Sequence, residues 1–176
     1  TNGIFNNNRS GDAGGAINAA NLQLSQSSFI GNETTNPTSY GGAIRTYGDH
    51  ATIDNSRFFD NRSHYESSAF HADGTATFEQ NCVVGNHGLA VTTTGTLNAP
   101  DNWWGSANGP GGFGTGIGDG VGNQVVYEPF LQTDRYDCGG ITQIISGFVV
   151  DKATGAPIDN ATVALFIDEA AAPITT

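Results

Sequence analysis

The sequence predicts an all-β fold: a parallel β-helix (solenoid) of about four coils, closed by a C-terminal cap and followed by a short β-strand extension. Three observations predict it. Gly14-Gly15-Ala16-Ile17 and Phe29-Ile30-Gly31-Asn32 return as Gly41-Gly42-Ala43-Ile44 and Phe58-Phe59-Asp60-Asn61. Weaker copies flank these pairs at Ile4-Phe5-Asn6-Asn7, Ser67-Ser68-Ala69-Phe70, Val83-Val84-Gly85-Asn86 and Gly88-Leu89-Ala90-Val91, so that Asn7, Asn32, Asn61 and Asn86 stand 25, 29 and 25 residues apart. A repeat of that length marks stacked units, each too small to bury its own apolar face. Finally, apolar and polar residues alternate in short runs, and nothing in this region has the spacing of an amphipathic helix.

Each unit offers three short strands. The first follows the small pair: Ala16-Ile17-Asn18-Ala19, Ala43-Ile44-Arg45-Thr46, Ala69-Phe70-His71-Ala72 and Ala90-Val91-Thr92-Thr93. The second is Leu22-Gln23-Leu24-Ser25, with Thr52-Ile53-Asp54-Asn55, Thr77-Phe78-Glu79-Gln80 and Thr96-Leu97-Asn98 as later copies. The third holds Phe29, Phe58 and Val83. One turn advances the chain by one strand spacing, roughly 4.8 Å, so equivalent residues stack. Three inward columns follow: Ile17, Ile44, Phe70 and Val91; Leu24, Ile53, Phe78 and Leu97; and Ile4, Phe29, Phe58 and Val83. Asn7, Asn32, Asn61 and Asn86 form a corner ladder in which each amide bonds its neighbours and the turn backbone. The small pairs suit a bend where a side chain would collide with the next coil. Insertions at residues 34–39 and 61–66 read as loops projecting from a corner.

The paired motif Gly-Gly-Ala-Ile and Phe-x-x-Asn resembles the repeat of polymorphic outer-membrane proteins, found in surface adhesins and related secreted β-helix proteins. Intact pairs cover residues 14–61, and degenerate copies extend to about 4–91. The resemblance implies a right-handed β-helix in an extracellular or cell-surface protein with a structural or adhesive role, and it implies no particular ligand.

From Asp101 the pattern changes. A solenoid end leaves strand edges and a core open, so a terminal unit must cover them. Asn102-Trp103-Trp104-Gly105, which holds the only two Trp, can supply that lid. With the later Gly109-Pro110 and Tyr127-Glu128-Pro129-Phe130-Leu131, the block is similar to the ending that closes many β-helix-repeat proteins. Adjacent Trp residues also suit a sugar-stacking platform, but their position favours the cap. The expected plan is a β-helix over 1–131 with the cap at about 101–131, a linker at 132–140 and a partial β-sandwich-like segment at 141–176. In that segment, Gly147-Phe148-Val149-Val150-Asp151 and Thr154-Gly155-Ala156-Pro157 resemble the opening of carboxypeptidase-regulatory-like domains. Its two or three strands are too few for a closed core. Either the sequence stops mid-domain, or another copy supplies strands by β-addition, as in a filament.

Composition narrows the function. With 17 Asp plus Glu against 6 Lys plus Arg, the net charge is −11. This argues against nucleic acid and anionic membrane surfaces. No apolar run is long enough to insert in a bilayer. The chain has no Met and begins inside a repeat, which reads as a piece of a longer protein. Cys82 and Cys138, the only cysteines, form one bridge if the protein is secreted, or remain two thiols. Four sequons occur, at Asn8, Asn32, Asn61 and Asn160, and two of them use ladder positions expected to be buried.

Stacking also fixes what points outward. Arg45 and Tyr47 on one coil come beside His71 and Asp73 on the next. On another face Asp54 lies beside Glu79. The first set joins a base, a carboxylate, a cation and an aromatic ring. The second pair suits a retaining glycosidase or a weak Ca²⁺ site. Outward polar residues on a solenoid more often serve as ordinary sheet support. The only Lys, Lys152, lies outside the helix, and no zinc spacing or Gly-x-Ser-x-Gly elbow is present. The expected protein is therefore not an enzyme, with polysaccharide degradation as the enzymatic alternative. Its expected partners are other copies of itself, other surface proteins or carbohydrate, with no resident cofactor.

Overall fold

The computed structural model describes residues 2–134, together with Cys138 and Thr154. The chain resolves into two compact units, Thr1–Gly140 and Ile141–Thr176. The strands expected at 144–151 and 161–167 lie outside the described residues.

The first coil contains β1 (Ile4–Asn6), β2 (Arg9–Ser10), β3 (Ile17–Ala19) and β4 (Leu22–Ser25). The second repeats it with β5 (Ser28–Ile30), β6 (Glu33–Thr34), β7 (Ile44–Thr46) and β8 (Ala51–Asp54). The third contains β9 (Arg57–Phe59), β10 (Arg62–Ser63), β11 (Phe70–Ala72) and β12 (Ala76–Glu79). The fourth has β13 (Cys82–Val84), β14 (Leu89–Thr93) and β15 (Leu97–Asn98), and β16 (Pro110–Gly112), β17 (Gly118–Val121) and β18 (Val125–Val126) follow. All pairings are parallel and build four sheets, ordered β1-β5-β9-β13, β10-β6-β2, β16-β17-β14-β11-β7-β3 and β18-β15-β12-β8-β4. The fold is an all-β parallel solenoid of about five turns.

Three differences from the sequence expectation have simple causes. A fourth strand in each of the first three coils, only two residues long, is too short to carry a periodic pattern. The fifth turn comes from β17 and β18 inside the expected cap, where no repeat motif remains. The first coil is shifted by one residue: Phe5 pairs with Phe29 and points inward, whereas Ile4 is 80% exposed. A one-residue slip exchanges faces, and burying the larger ring decides between the two adjacent apolar residues. The ladder shifts with it, so Asn8 rather than Asn7 is the first rung.

The core is a stack of rings. Phe5 lies 4.6 Å from Phe29, and Phe29 lies 5.0 Å from Phe58, both nearly parallel. Phe78 packs on Phe58, Phe70 and Trp104. Each fully buried ring contributes roughly 1.5–3 kcal/mol. Trp104 is itself fully buried and closes the end of the stack. Its Nε1–H has no hydrogen-bond partner among the described residues, so area rather than polarity accounts for its place. Its neighbour faces the other way: Trp103 packs on a second cluster of Phe59, Cys82 and Cys138. The two cysteines are joined in a disulfide, with Cα atoms 5.3 Å apart.

Two corners hold the coils in register. At the first, the Asn32 side-chain oxygen accepts from the backbone N–H and side-chain amide of Asn8, Asn61 accepts likewise from Asn32, and Asn86 from Asn61. From Asn32 onward each rung's Nδ2 also donates to the carbonyl of the inward ring one coil back, at Phe5, Phe29 or Phe58. Asp119 ends the series by accepting from the N–H of Gly85 and from the N–H and Nδ2 of Asn86. A last rung needs only to accept, which a carboxylate does. Burial nevertheless raises the Asp119 pKa above the usual carboxylate value. The second corner, unmarked in the sequence, works the same way through Ser27, Ser56, Asn81 and Asn102. At both corners the preceding residue takes the left-handed conformation, as at Asn7, Asp60, Gln26 and Asn55. Asn32 and Asn61 are fully buried, so neither sequon is open to a glycan on the folded coil.

Candidate functional site

The outward residues of the six-stranded sheet form a row, Asn18-Arg45-His71-Thr92, fixed by the pairing of β3, β7, β11 and β14. Register therefore brings Arg45, His71 and Asp73 together. The Asp73 Oδ2 accepts from Arg45 Nε at 3.1 Å and Nη2 at 2.6 Å, and its Oδ1 accepts from His71 Nε2 at 2.9 Å. Because a carboxylate only accepts, Nε2 carries the proton and Nδ1 is the acceptor. Nδ1 faces the Thr92 hydroxyl at 2.7 Å and the Ser67 hydroxyl at 3.2 Å. Those two hydroxyls also contact each other.

His71 is only 1% exposed. Tyr40 lies flat over its ring, 4.0 Å between centroids, and Tyr65 meets Tyr40 edge-on at 5.0 Å. Burial lowers the His71 pKa, Asp73 opposes that shift and Arg45 adds to it, so the imidazole is neutral at pH 7. Burial raises the Tyr40 pKa, and Tyr65, Glu66 and Asp73 reinforce the effect.

Tyr40, Tyr65, Ser67 and Thr92 were not among the candidate residues of the sequence. Tyr40 and Tyr65 sit in the inserted loops, whose lengths follow no repeat. Ser67 did leave a signal. Gly14, Gly41 and Gly88 stand three residues before the inward Ile17, Ile44 and Val91, all with positive φ, and Ser67 occupies that place before Phe70 with φ 65°. A Cβ at Gly41 would meet the Ile44 carbonyl oxygen at 2.3 Å. A hydroxyl-bearing residue thus stands in a conformation that favours glycine, beside a buried imidazole.

Ser67, His71 and Asp73 have the composition of an acyl-transfer triad, and all three are held by bonds within the face. Ser67 is fully buried, Thr92 shares its bond to Nδ1, and Tyr40 covers the ring. Both hydroxyl-bearing residues are buried, Thr92 being 5% exposed.

Of the other candidates, Tyr47 stands in register with Asp73 at the edge of this face, and Asp54 and Glu79 lie on a different sheet. Tyr47, just beyond β7, is 56% exposed. Asp54 and Glu79 are in-register partners on β8 and β12, in the five-stranded sheet. Asp54 accepts from Asn55 Nδ2 at 2.9 Å. Among the described residues no group of three His, Cys, Asp or Glu side chains gathers as a metal site. Among the described residues there is no helix long and apolar enough to cross a membrane.

Comparison of the chain with protein-family models, with curated proteins and with solved structures finds no match.

Proposed function

We propose that the chain is a non-catalytic structural and adhesive β-helix module of an extracellular or cell-surface protein, of the polymorphic outer-membrane-protein repeat type. The observation that carries this reading is the fate of His71. The one base-capable side chain of the candidate face is buried, covered by Tyr40 and bonded at both nitrogens. The Cys82–Cys138 disulfide supports an oxidising compartment. The chain's acidity favours neutral or cationic partners over nucleic acid.

The test is a hydrolysis screen on the full chain, using p-nitrophenyl esters and neutral and acidic polysaccharides, with His71→Ala in parallel. The expected result is no turnover by either protein. Turnover by the wild type that His71→Ala abolishes overturns the non-catalytic reading. A secreted preparation in which both cysteines react with a thiol reagent without prior reduction overturns the assignment to an oxidising compartment.

A further inference from the structure

We infer that the face centred on Arg45 and Asp73 is a binding site for a neutral polysaccharide chain. This inference rests on the display reading above and names its ligand class. Contacts run unbroken across the face: Tyr65 against Tyr40, Tyr40 on His71, His71 to Asp73, and Asp73 to Arg45. Tyr47 stands two residues beyond Arg45 on the same strand direction and pairs in sequence register with Asp73, since Tyr47 N–H reaches the Ala19 carbonyl as Asp73 N–H reaches that of Thr46. Tyr40 and Tyr65 thus touch on this face, and register sets Tyr47 at its edge.

The exposures match a ligand of mixed polarity. The Tyr47 and Tyr65 rings are 56% and 51% exposed, offering flat apolar surface to the C–H face of a sugar ring. The Arg45 and Asp73 side chains are 30% and 26% exposed, a paired donor and acceptor for vicinal hydroxyls. Arg45 spends Nε and Nη2 on Asp73, and among the described residues Nη1 makes no hydrogen bond. The pair is held in place from beneath, because Asp73 is fixed by His71, and His71 by Thr92 and Ser67. A preorganised polar pair loses little entropy on binding. That explains why a serine is kept at a left-handed position that the other coils give to glycine. The Arg45 charge is matched by Asp73 within a chain of net charge −11, which selects against acidic polymers.

The experiment is affinity electrophoresis of the native, disulfide-intact chain in gels containing hydroxyethyl cellulose, galactomannan or arabinoxylan, with polygalacturonate as the acidic comparator. Retardation by at least one neutral polymer is expected. Tyr47→Ala and Tyr65→Ala, at exposed positions that leave the core untouched, should each weaken it roughly tenfold, and Phe113→Ala, on an exposed ring remote in sequence, should not. No retardation by any neutral polymer overturns the inference. So does retardation by polygalacturonate alone, or retardation unchanged in both tyrosine variants. A chain that binds none of these polymers yet shows no turnover keeps the display reading and loses only this one.

Discussion

The ladder corners and the His71 face are both polar, buried and hydrogen-bonded between coils, yet they follow opposite rules. At the corners every coil repeats the same solution: a left-handed residue, then an Asn or Ser whose side chain takes the N–H of the coil before it. On the face no residue repeats, for the row reads Asn18, Arg45, His71, Thr92. Repetition is what stacking alone requires, since each coil presents the same backbone groups to the next. A row that differs at every rung, and whose members bond one another, meets a requirement local to two coils. The corners account for the fold, and the face is where a second demand was met.

The largest expected effects belong to the repeating part. Phe58→Ala removes a ring packed between Phe29 and Phe78 and should cost about 3–5 kcal/mol in urea unfolding. Asn61→Ala leaves the buried N–H and Nδ2 of Asn32 without their acceptor and should cost about 3 kcal/mol. Arg45→Ala, by contrast, removes a partly exposed ion pair at the surface and should cost about 1 kcal/mol. The contrast between corner and face fails if the Arg45 variant is as unstable as the Asn61 variant.

How much of this was legible in the sequence depended on the same repetition. The inward columns through Ile44 and Phe58 were readable because alternation and the coil period agree there. The first rung is ambiguous in the sequence because Asn6-Asn7-Asn8 offers three equivalent candidates, and only ring stacking chooses among them. The Ser27-Ser56-Asn81-Asn102 ladder was hidden because its rungs change residue type midway while keeping one acceptor geometry. At the candidate site, register alone brought Arg45 to His71 and Asp73. It gave no hint of Tyr40, which reaches His71 from an insertion.

A smaller effect separates strain from bonding at Ser67. Ser67→Ala keeps the left-handed φ and loses the hydroxyl, and should cost about 1–2 kcal/mol. Ser67→Gly loses the same bond but relieves the backbone, and should lie about 1 kcal/mol above the alanine variant in thermal or urea unfolding. Equal stability of the two variants would show that position 67 carries no strain. Its difference from the glycine columns would then mean little.

The pH response gives the smallest effect and the sharpest contrast. Burial holds the His71 pKa below the ordinary 6.5 in the folded chain, so on acidification the unfolded imidazole takes its proton first. The stability due to neutral His71 is therefore fully present above about pH 6.5 and is lost as pH falls from there through the folded value. His71→Gln cannot titrate, so the stability gap between wild type and this variant should be widest at pH 8 and narrow steadily toward pH 5. Asp119 shifts the other way, its contribution being present at low pH and lost as pH rises through its raised folded value. It is common to both proteins, however, and cancels from the gap. The gap for Asn61→Ala should stay flat across the same range, because amides do not titrate. A His71→Gln gap that widens in acid would mean that the buried imidazole is charged in the fold, and the face would then be an ion cluster rather than a neutral network beneath Tyr40.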